Sequence, residues 1–530
     1  MLNSFSAGQA LRTAISWAAL GLAAALLPLA AQSGPSASAQ MPTLGDASDL
    51  GSAAERRLGN RIAREIYRDP DYVDDAVLMD YVQGIWQPLL AAARARGDLS
   101  PELAENFAWE ILLVRDHTVN AFALPGGYLG VHLGLIAVVG NRDELASVLA
   151  HELSHVTQRH ISRLISKQGQ QTPWMVGAMI LGALAASRNA DAGNALMVGG
   201  QAVAAQTQLN FSRDMEREAD RVGFGVMTQA GFEAQGFVTM FDKLQQAARL
   251  NDNGAYPYLR SHPLTTERIA DMQARQALLA VGAAHAPATL EHAMVAARAR
   301  VLVNPGVDTL RSLMQEADAV ALATSAPLRQ AGVLYGAALA ASQLRDFALA
   351  KTYLERLTLL ARDDVSALRL ARLLAAEVAL AAGAPALPSA PPLGFAAAVR
   401  RPELLLRAQL ALQTGQGASS DGAAARTAAA QDLQTWVVVH PHDASAWQLL
   451  SSVYAAQGQS LRAIRADAET QVARLDYAAA LDRFKAAQEL VHQRRGGNGA
   501  SAAADYIEAS IIDTRQRQVQ ALLKEQALER

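Results

Sequence analysis

Two histidines and a glutamate stand at a spacing that suits metal-assisted hydrolysis, in the run His151-Glu152-Leu153-Ser154-His155. On a helix, residues four apart lie one turn above each other on the same face, so His151 and His155 can reach one ion together. Glu152 lies beside that face, close enough to polarise a water on the ion. Two histidines also pack on helices for structural reasons alone, and rejecting that alternative requires a third ligand elsewhere. The run from Phe211 to Asp220 reads as the opening of another helix, on which Glu216 and Asp220 share a face and Glu218 points elsewhere. Glu216 completes a His, His, Glu set around zinc and leaves the fourth position to water. Asp220, one turn on, is placed to accept the free ring N–H of a ligand histidine. The plainer alternative for this acidic, arginine-rich run is a solvated helix face.

The surrounding elements have to position these groups. Asn141 and Glu144 form a capping box for the histidine helix, and Leu145, Val148 and Leu149 give it an apolar face. Upstream, Trp109 to Val114 reads as a strand, Asp116 to Thr118 as a turn, and Val119 to Leu124 as a second extended run. Pro125-Gly126-Gly127 turns the chain into Tyr128 to Val131, so a hairpin or meander precedes the helix. An exposed sheet edge there can bind an extended peptide through main-chain hydrogen bonds; the plainer role is to bury the helix. Leu133 to Val139 reads as a short apolar helix. Two helices come earlier, Ala53 to Tyr67 and one beginning near Ala76, which Pro88 is expected to kink or end before Leu89 to Arg96 resumes.

After the histidine helix, residues 168–210 read as a helical insertion, with an apolar run from Trp174 to Ala186 too short to span a bilayer straight. Covering the active site is the reading taken, ahead of resting on a membrane surface or adding to the core. Gly223 to Leu244 continues the helical core, and Thr265 to Leu278, carrying Glu267 and Arg268, closes it. Between them, Ser261-His262-Pro263 puts a histidine on a loop. His262 could fill the open zinc position and hold the enzyme latent, or donate a hydrogen bond to a tetrahedral intermediate; by itself it reads as a surface histidine.

At 530 residues the chain is expected to hold two or three domains. A formal net charge of -3 gives no basic surface for nucleic acid. The absence of cysteine excludes disulfides, cysteine nucleophiles, thiolate zinc sites and a lipid on an N-terminal cysteine. Arg12, an apolar run from Ala14 to about Ala30, and Ala37 and Ala39 in the A-x-A relation read as a signal peptide cut near Gln40. An uncleaved anchor is the alternative.

From about residue 305, short helices rich in alanine and leucine follow one another. Trp447, Leu450, Tyr454, Gly458 and Ala463 fit the tetratricopeptide helix–turn–helix pattern, and Leu334, Ala338 and Ala350 repeat part of it. The proline-rich stretch Gly383 to Gly394, the polar stretch Thr414 to Gly422 and Arg494 to Gly499 interrupt the series. The expected organisation is a signal peptide over 1–39, a zinc metallopeptidase over 40–280, a linker or connecting helix over 281–304, helical repeats over 305–493, and a break and helix over 494–530. The fold class is an α+β zincin-like metallopeptidase of gluzincin type, followed by an all-α tetratricopeptide-like repeat domain.

The runs NAFALPGG (Asn120 to Gly127), HELSHVTQRH (His151 to His160), EREADRVG (Glu216 to Gly223) and SHPLTTERI (Ser261 to Ile269) together resemble the HtpX-like and CAAX-prenyl-protease-like zinc metallopeptidases. The resemblance covers about residues 50–280. It implies one zinc per chain on His151, His155 and Glu216, Glu152 as general base, Asp220 behind the ligands, and His262 as a regulatory or intermediate-stabilising group. His160 would suggest a metzincin, but it lies five residues after His155, not six, and no glycine stands at 158. With a signal peptide before the motifs and repeats after them, the resemblance implies a Gram-negative periplasmic enzyme, soluble or peripheral to the outer membrane. Its expected clients are unfolded or misassembled outer-membrane proteins, handled by proteolysis and chaperone-like assistance. The β-barrel assembly machinery is the expected partner, reached through the repeats, although the helical half departs from the pattern in its long proline-rich and glycine-rich breaks.

Overall fold

The computed structural model describes residues 50–167, 212–249, 255–279, 288–303, 306–383, 400–414, 420–494 and 500–527. The signal peptide, the insertion over 168–210 and the greater part of the three interruptions in the helical half lie outside the described residues.

Leu58, Ile62 and Ile66 recur every fourth residue and form the buried stripe of α1 (Ser52–Arg68). After the two-residue strand β1 (Tyr72–Val73), Asp75 caps α2 (Ala76–Arg96) by accepting from the Leu78 N–H, and Gly97 ends it in the left-handed conformation. Of the two expected effects of Pro88, an end to the helix does not occur, since α2 continues past it to Arg96. Proline cannot donate to the carbonyl of Gly84 four residues back, but the Arg142 guanidinium donates to that oxygen instead. The freed acceptor is satisfied from another helix, so the cost of proline is offset in place.

The short α3 (Pro101–Asn106) leads into β2 (Glu110–Val114), β3 (Ala121–Leu124) and β4 (Tyr128–His132). The order across the sheet is β1-β2-β4-β3, with β4 parallel to β2 and antiparallel to β3. Only the β3–β4 half of the expected meander is therefore a hairpin. Its turn is the Pro125–Gly127 segment, where Gly126 and Gly127 both adopt positive φ. Between β2 and β3 the chain passes beyond β4, turned by Asp116, whose carboxylate accepts from the N–H and hydroxyl of Thr118. This crossing leaves β3 at the sheet edge, against the histidine helix.

After α4 (Leu133–Val138), that helix is α5 (Arg142–Thr157), and every residue from Asp143 to Thr157 is buried. Asn141 caps it, accepting from the Glu144 N–H at 2.9 Å. The reciprocal half of the capping box is absent: Glu144 accepts from the Gly140 N–H and pairs with Lys243 instead. The rest of the peptidase part is α6 (His160–Lys167), α7 (Arg213–Gln229), α8 (Gln235–Arg249), α9 (Tyr258–Ser261) and α10 (Thr266–Leu279). Helix α7 approaches α5 through Gly223, where a Cβ would stand 3.0 Å from the Ala150 carbonyl oxygen. That contact sets Glu216 and Asp220 beside His151.

The remainder is helical: α11 (Leu290–Val303), α12 (Val307–Asp318), α13 (Val320–Ala323), α14 (Pro327–Gln343), α15 (Phe347–Leu360) and α16 (Val365–Ala381). Then come α17 (Arg401–Thr414), α18 (Ser420–Val439), α19 (Ala444–Ala456), α20 (Ser460–Ala473), α21 (Tyr477–Arg494) and α22 (Ala500–Ala527). Residues Ser420 to Gly422, expected in a loop, open α18. Neighbouring helices pack as repeats of a tetratricopeptide-like region. Left-handed residues turn consecutive pairs: Arg345 between α14 and α15, Gly458 between α19 and α20, and Leu475 between α20 and α21. Ala338, Ala350 and Ala463 are buried where the pairs meet, beside Leu334, Leu450 and Tyr454. From Ser48 onward the chain is one compact unit.

Gly223→Val should push α7 from α5 and destabilise the protein by about 1–3 kcal/mol, as overpacked cores do. A lower urea midpoint is the expected result, with Gly223→Ala affected less.

Candidate metal centre

One turn of α5 places the Nε2 atoms of His151 and His155 3.0 Å apart. Ser212 caps α7, accepting from the Met215 N–H, so Glu216 projects from the helix's first turn. Its Oε2 lies 3.5 Å from His151 Nε2 and its Oε1 3.5 Å from His155 Nε2. His262, just after α9, brings Nδ1 to 3.0 Å from Glu216 Oε1 and 3.3 Å from His151 Nε2. The four donor side chains are buried, and their ligand atoms lie within 4.8 Å of one another.

These separations test whether zinc fits. Zinc bonds of about 2.0–2.1 Å in a tetrahedron set the ligand atoms about 3.3–3.4 Å apart. Five separations within the cluster, taken over both Glu216 oxygens, run from 3.0 to 3.5 Å around that value, and all ligand atoms lie within 4.8 Å of one another. The donors are imidazole nitrogens and a carboxylate oxygen, the set that suits zinc.

The supports are as specific as the donors. Asp220 Oδ1 lies 2.9 Å from His151 Nδ1. Arg268, from α10, donates to both Asp220 oxygens at 2.6 and 2.8 Å and to the Pro263 carbonyl at 2.8 Å; its Nη1 also lies 2.8 Å from Glu216 Oε2. One guanidinium thereby holds the glutamate donor, the carboxylate behind His151 and the loop that follows His262. The sequence reading assigned Arg268 no role; its place in SHPLTTERI, six residues after His262, was the available signal.

Glu152 sits buried beside the donors, with one oxygen hydrogen-bonded and the other close to His262. Oε2 accepts from the Ala123 N–H of edge strand β3 at 2.9 Å, and Oε1 lies 3.3 Å from His262 Nε2. Tyr258 stacks on the His262 ring at 4.6 Å, and the His262 N–H bonds the Tyr258 carbonyl. His262 is thus a buried histidine wedged between the donor set and Glu152.

His160 is not among the donors. Arg159 takes a positive φ after α5, and the turn folds His160 back beneath His155, with Nδ1 2.9 Å from His155 Nδ1. That contact is on the opposite side of the His155 ring from Nε2. Glu218 points away from the donors toward His160 and Arg163.

The charges are strongly coupled. Burial opposes charge on His151, but hydrogen bonding to Asp220 and Glu216 outweighs it and pushes the ring up to about 9. Burial, reinforced by the charge on His151, holds His155 well below its ordinary value. Burial alone would raise Glu216, yet His262 and His151 hold it well below the usual carboxylate range. Burial pushes Glu152 up, against His262 and His151.

This cluster has the composition and spacing to hold a metal ion. Residues 88–276 match the model of peptidase family M48. It is 30% identical over 237 residues, 44% of this chain and 47% of the relative, to the beta-barrel assembly-enhancing protease of Escherichia coli K12. A Vibrio cholerae protein that carries the same name provisionally is 32% identical over 258 residues, 48% of this chain and 51% of its own. The mitochondrial metalloendopeptidase OMA1 of Saccharomyces cerevisiae is 28% identical over 196 residues, 36% of this chain and 54% of its own. The chain spans about half the length of the curated relatives it matches.

Because His151 keeps its proton up to about pH 9, zinc arriving at pH 7 has to displace it. Calorimetric titration in buffers of different ionisation enthalpy should read about one proton released per zinc. The release should fade as pH rises through 9, and chelation should lower the melting temperature.

Proposed function

We propose that the chain is a zinc-dependent endopeptidase that cleaves extended or misfolded polypeptides during outer-membrane β-barrel assembly and quality control. The observation that carries the chemistry is the buried cluster of His151, His155, Glu216 and His262, with ligand atoms within 4.8 Å of one another and Glu152 beside them. In this reading His151, His155 and Glu216 hold one zinc, and Asp220 and Arg268 orient them. The names of the bacterial relatives motivate the outer-membrane role. A periplasmic location, peripheral contact with the outer membrane and engagement of the assembly machinery through the repeats belong to the same proposal. Among the described residues no helix is long and apolar enough to cross a membrane. The proposed organisation keeps the peptidase at 40–280 and the repeats at 305–493.

Zinc, when bound, supplies Lewis acidity and makes a water more acidic. Glu152 takes a proton from the attacking water and returns it to the departing amine. Since Ala123 holds Oε2, Oε1 is the oxygen left for that proton, and His262 must withdraw to release it. The β3 edge beside Glu152 suits an extended substrate laid down by main-chain hydrogen bonds.

His262 also favours a second reading, a chaperone or assembly factor whose protease site is normally latent. The same imidazole supplies the fourth donor and contacts the general base. Its other suggested role, donating to a developing oxyanion, requires the same withdrawal.

Zinc content and cleavage of a partly unfolded outer-membrane protein test both readings, comparing wild type, Glu152→Gln and His262→Ala. About one zinc per chain is expected, with Glu152→Gln keeping zinc while cleavage falls by about 10²-fold or more. Faster cleavage by His262→Ala would establish latency. Normal turnover by zinc-loaded Glu152→Gln would overturn the catalytic assignment. Zinc without cleavage in wild type and His262→Ala, with clients still protected from aggregation, would leave the chaperone reading.

A further inference from the structure

The two histidines of α5 are supported differently. His151 turns Nδ1 directly to a buried carboxylate, Asp220, whereas His155 turns Nδ1 to another imidazole, His160, at 2.9 Å. Two ring nitrogens facing each other at that distance share one proton. If both carried a proton they would repel, and if neither did there would be no bond. His155 Nε2 faces the donor cluster and must present a lone pair there, so the shared proton belongs on His155 Nδ1. His160 Nδ1 is then the acceptor, and the remaining His160 proton sits on Nε2. That nitrogen lies 3.1 Å from Glu218 Oε2, which also accepts from Arg163 Nη1 at 3.0 Å. The hydrogen bonds therefore run in one direction, from the metal ligand through a fully buried histidine to a half-exposed ion pair.

Helix α7 consequently serves the centre three times. Glu216 is a donor, Asp220 supports His151 and Glu218 supports His155 through His160. Glu218 lies on a different face from the other two, and the turn at Arg159 closes the gap by carrying His160 under the ring.

We propose that His160 is a positioning residue that fixes the tautomer and orientation of His155, with Glu218 and Arg163 anchoring it from the surface. This inference rests on the zinc-site reading. Ligand histidines usually donate their second N–H to a carboxylate, carbonyl or water, and loss of such a partner typically costs about 10- to 100-fold in metal affinity. Here a neutral imidazole takes that place and passes the interaction to a carboxylate.

The test measures zinc affinity of the full chain by competition with a chromophoric chelator, supported by the absorption spectrum of the cobalt-substituted protein. His160→Phe fills the space but removes the acceptor, and should bind zinc about 10- to 100-fold more weakly with an altered cobalt spectrum. His160→Asn can place Oδ1 near the position of Nδ1, and should recover most of the affinity and the wild-type spectrum. Glu218→Gln, at a half-exposed position where folding is not at stake, should weaken binding several-fold through a poorer acceptor for His160. Wild-type affinity in His160→Phe, equal loss in the Asn and Phe variants, or an unchanged Glu218→Gln protein would each overturn the relay. A wild-type chain that holds no zinc would overturn the zinc-site reading as well, whereas zinc-loaded wild type with unaltered variants overturns the relay alone.

Discussion

Three carboxylates, Glu152, Glu216 and Asp220, are buried together with Arg268 as their one permanently charged cation among the described residues. Buried charge is tolerated only when paired and hydrogen-bonded. Three negative charges against one guanidinium leave two, which a divalent cation matches when the histidines are neutral. Without such an ion the balance falls to protons, which is why His151 is pushed up to about 9. The surrounding architecture serves this constraint. Helix α5 is buried along its length to keep water out, Gly223 brings α7 within reach, and α10 delivers Arg268.

The parts legible in the sequence were those governed by local geometry. The four-residue spacing of His151 and His155, the shared face of Glu216 and Asp220, and the Asn141 cap each follow from one helix's periodicity, and the structure brings these residues together as that geometry requires. The tetratricopeptide pattern was legible for the same reason, since Gly458 and Ala463 sit in one helix pair. Parts that depend on distant chain were not. Nothing near Pro88 in the sequence shows that Arg142 will take up the Gly84 carbonyl, so a helix break was the reasonable expectation. Strand order is equally non-local. Short apolar runs bounded by turn residues mark β2, β3 and β4, but the insertion of β4 between the other two is a tertiary fact.

The same limit applies to the join between the helical half and the peptidase. Asp74, Asp75 and Asp80 follow β1 within a few residues, and pair with Arg401, Arg298 and Arg369 respectively. Arg298 is buried and also bonds Glu377 and the Tyr335 hydroxyl, so α11 is pinned to both halves at once. In sequence these residues look like ordinary surface charges. Their partners lie more than two hundred positions away, and only the packing of α11 and α17 against α2 makes them structural. Removing Arg298 would leave Asp75 and Glu377 without the cation they share, a larger cost than a surface pair carries.

His262 shows how closely the closed arrangement satisfies itself. Its Nδ1 meets the donor set, its Nε2 meets Glu152, and its ring is covered by Tyr258. The segment that carries it is tied to the strand side of the cleft: Val119, two residues before β3, donates to the Ala255 carbonyl and accepts from the Tyr258 N–H. On the other side Arg268 holds the Pro263 carbonyl. Withdrawal of His262 therefore cannot be a simple rotamer change, since the ring is clamped between a stacked tyrosine and two anchored backbone segments. It requires the 255–263 segment to yield at one of these anchors. The Val119 anchor adjoins the edge an extended polypeptide would occupy, and the Pro263 anchor shares its guanidinium with Glu216 and Asp220. Yielding at the first leaves the metal donors and their supports intact, whereas yielding at the second disturbs the guanidinium that holds two buried carboxylates.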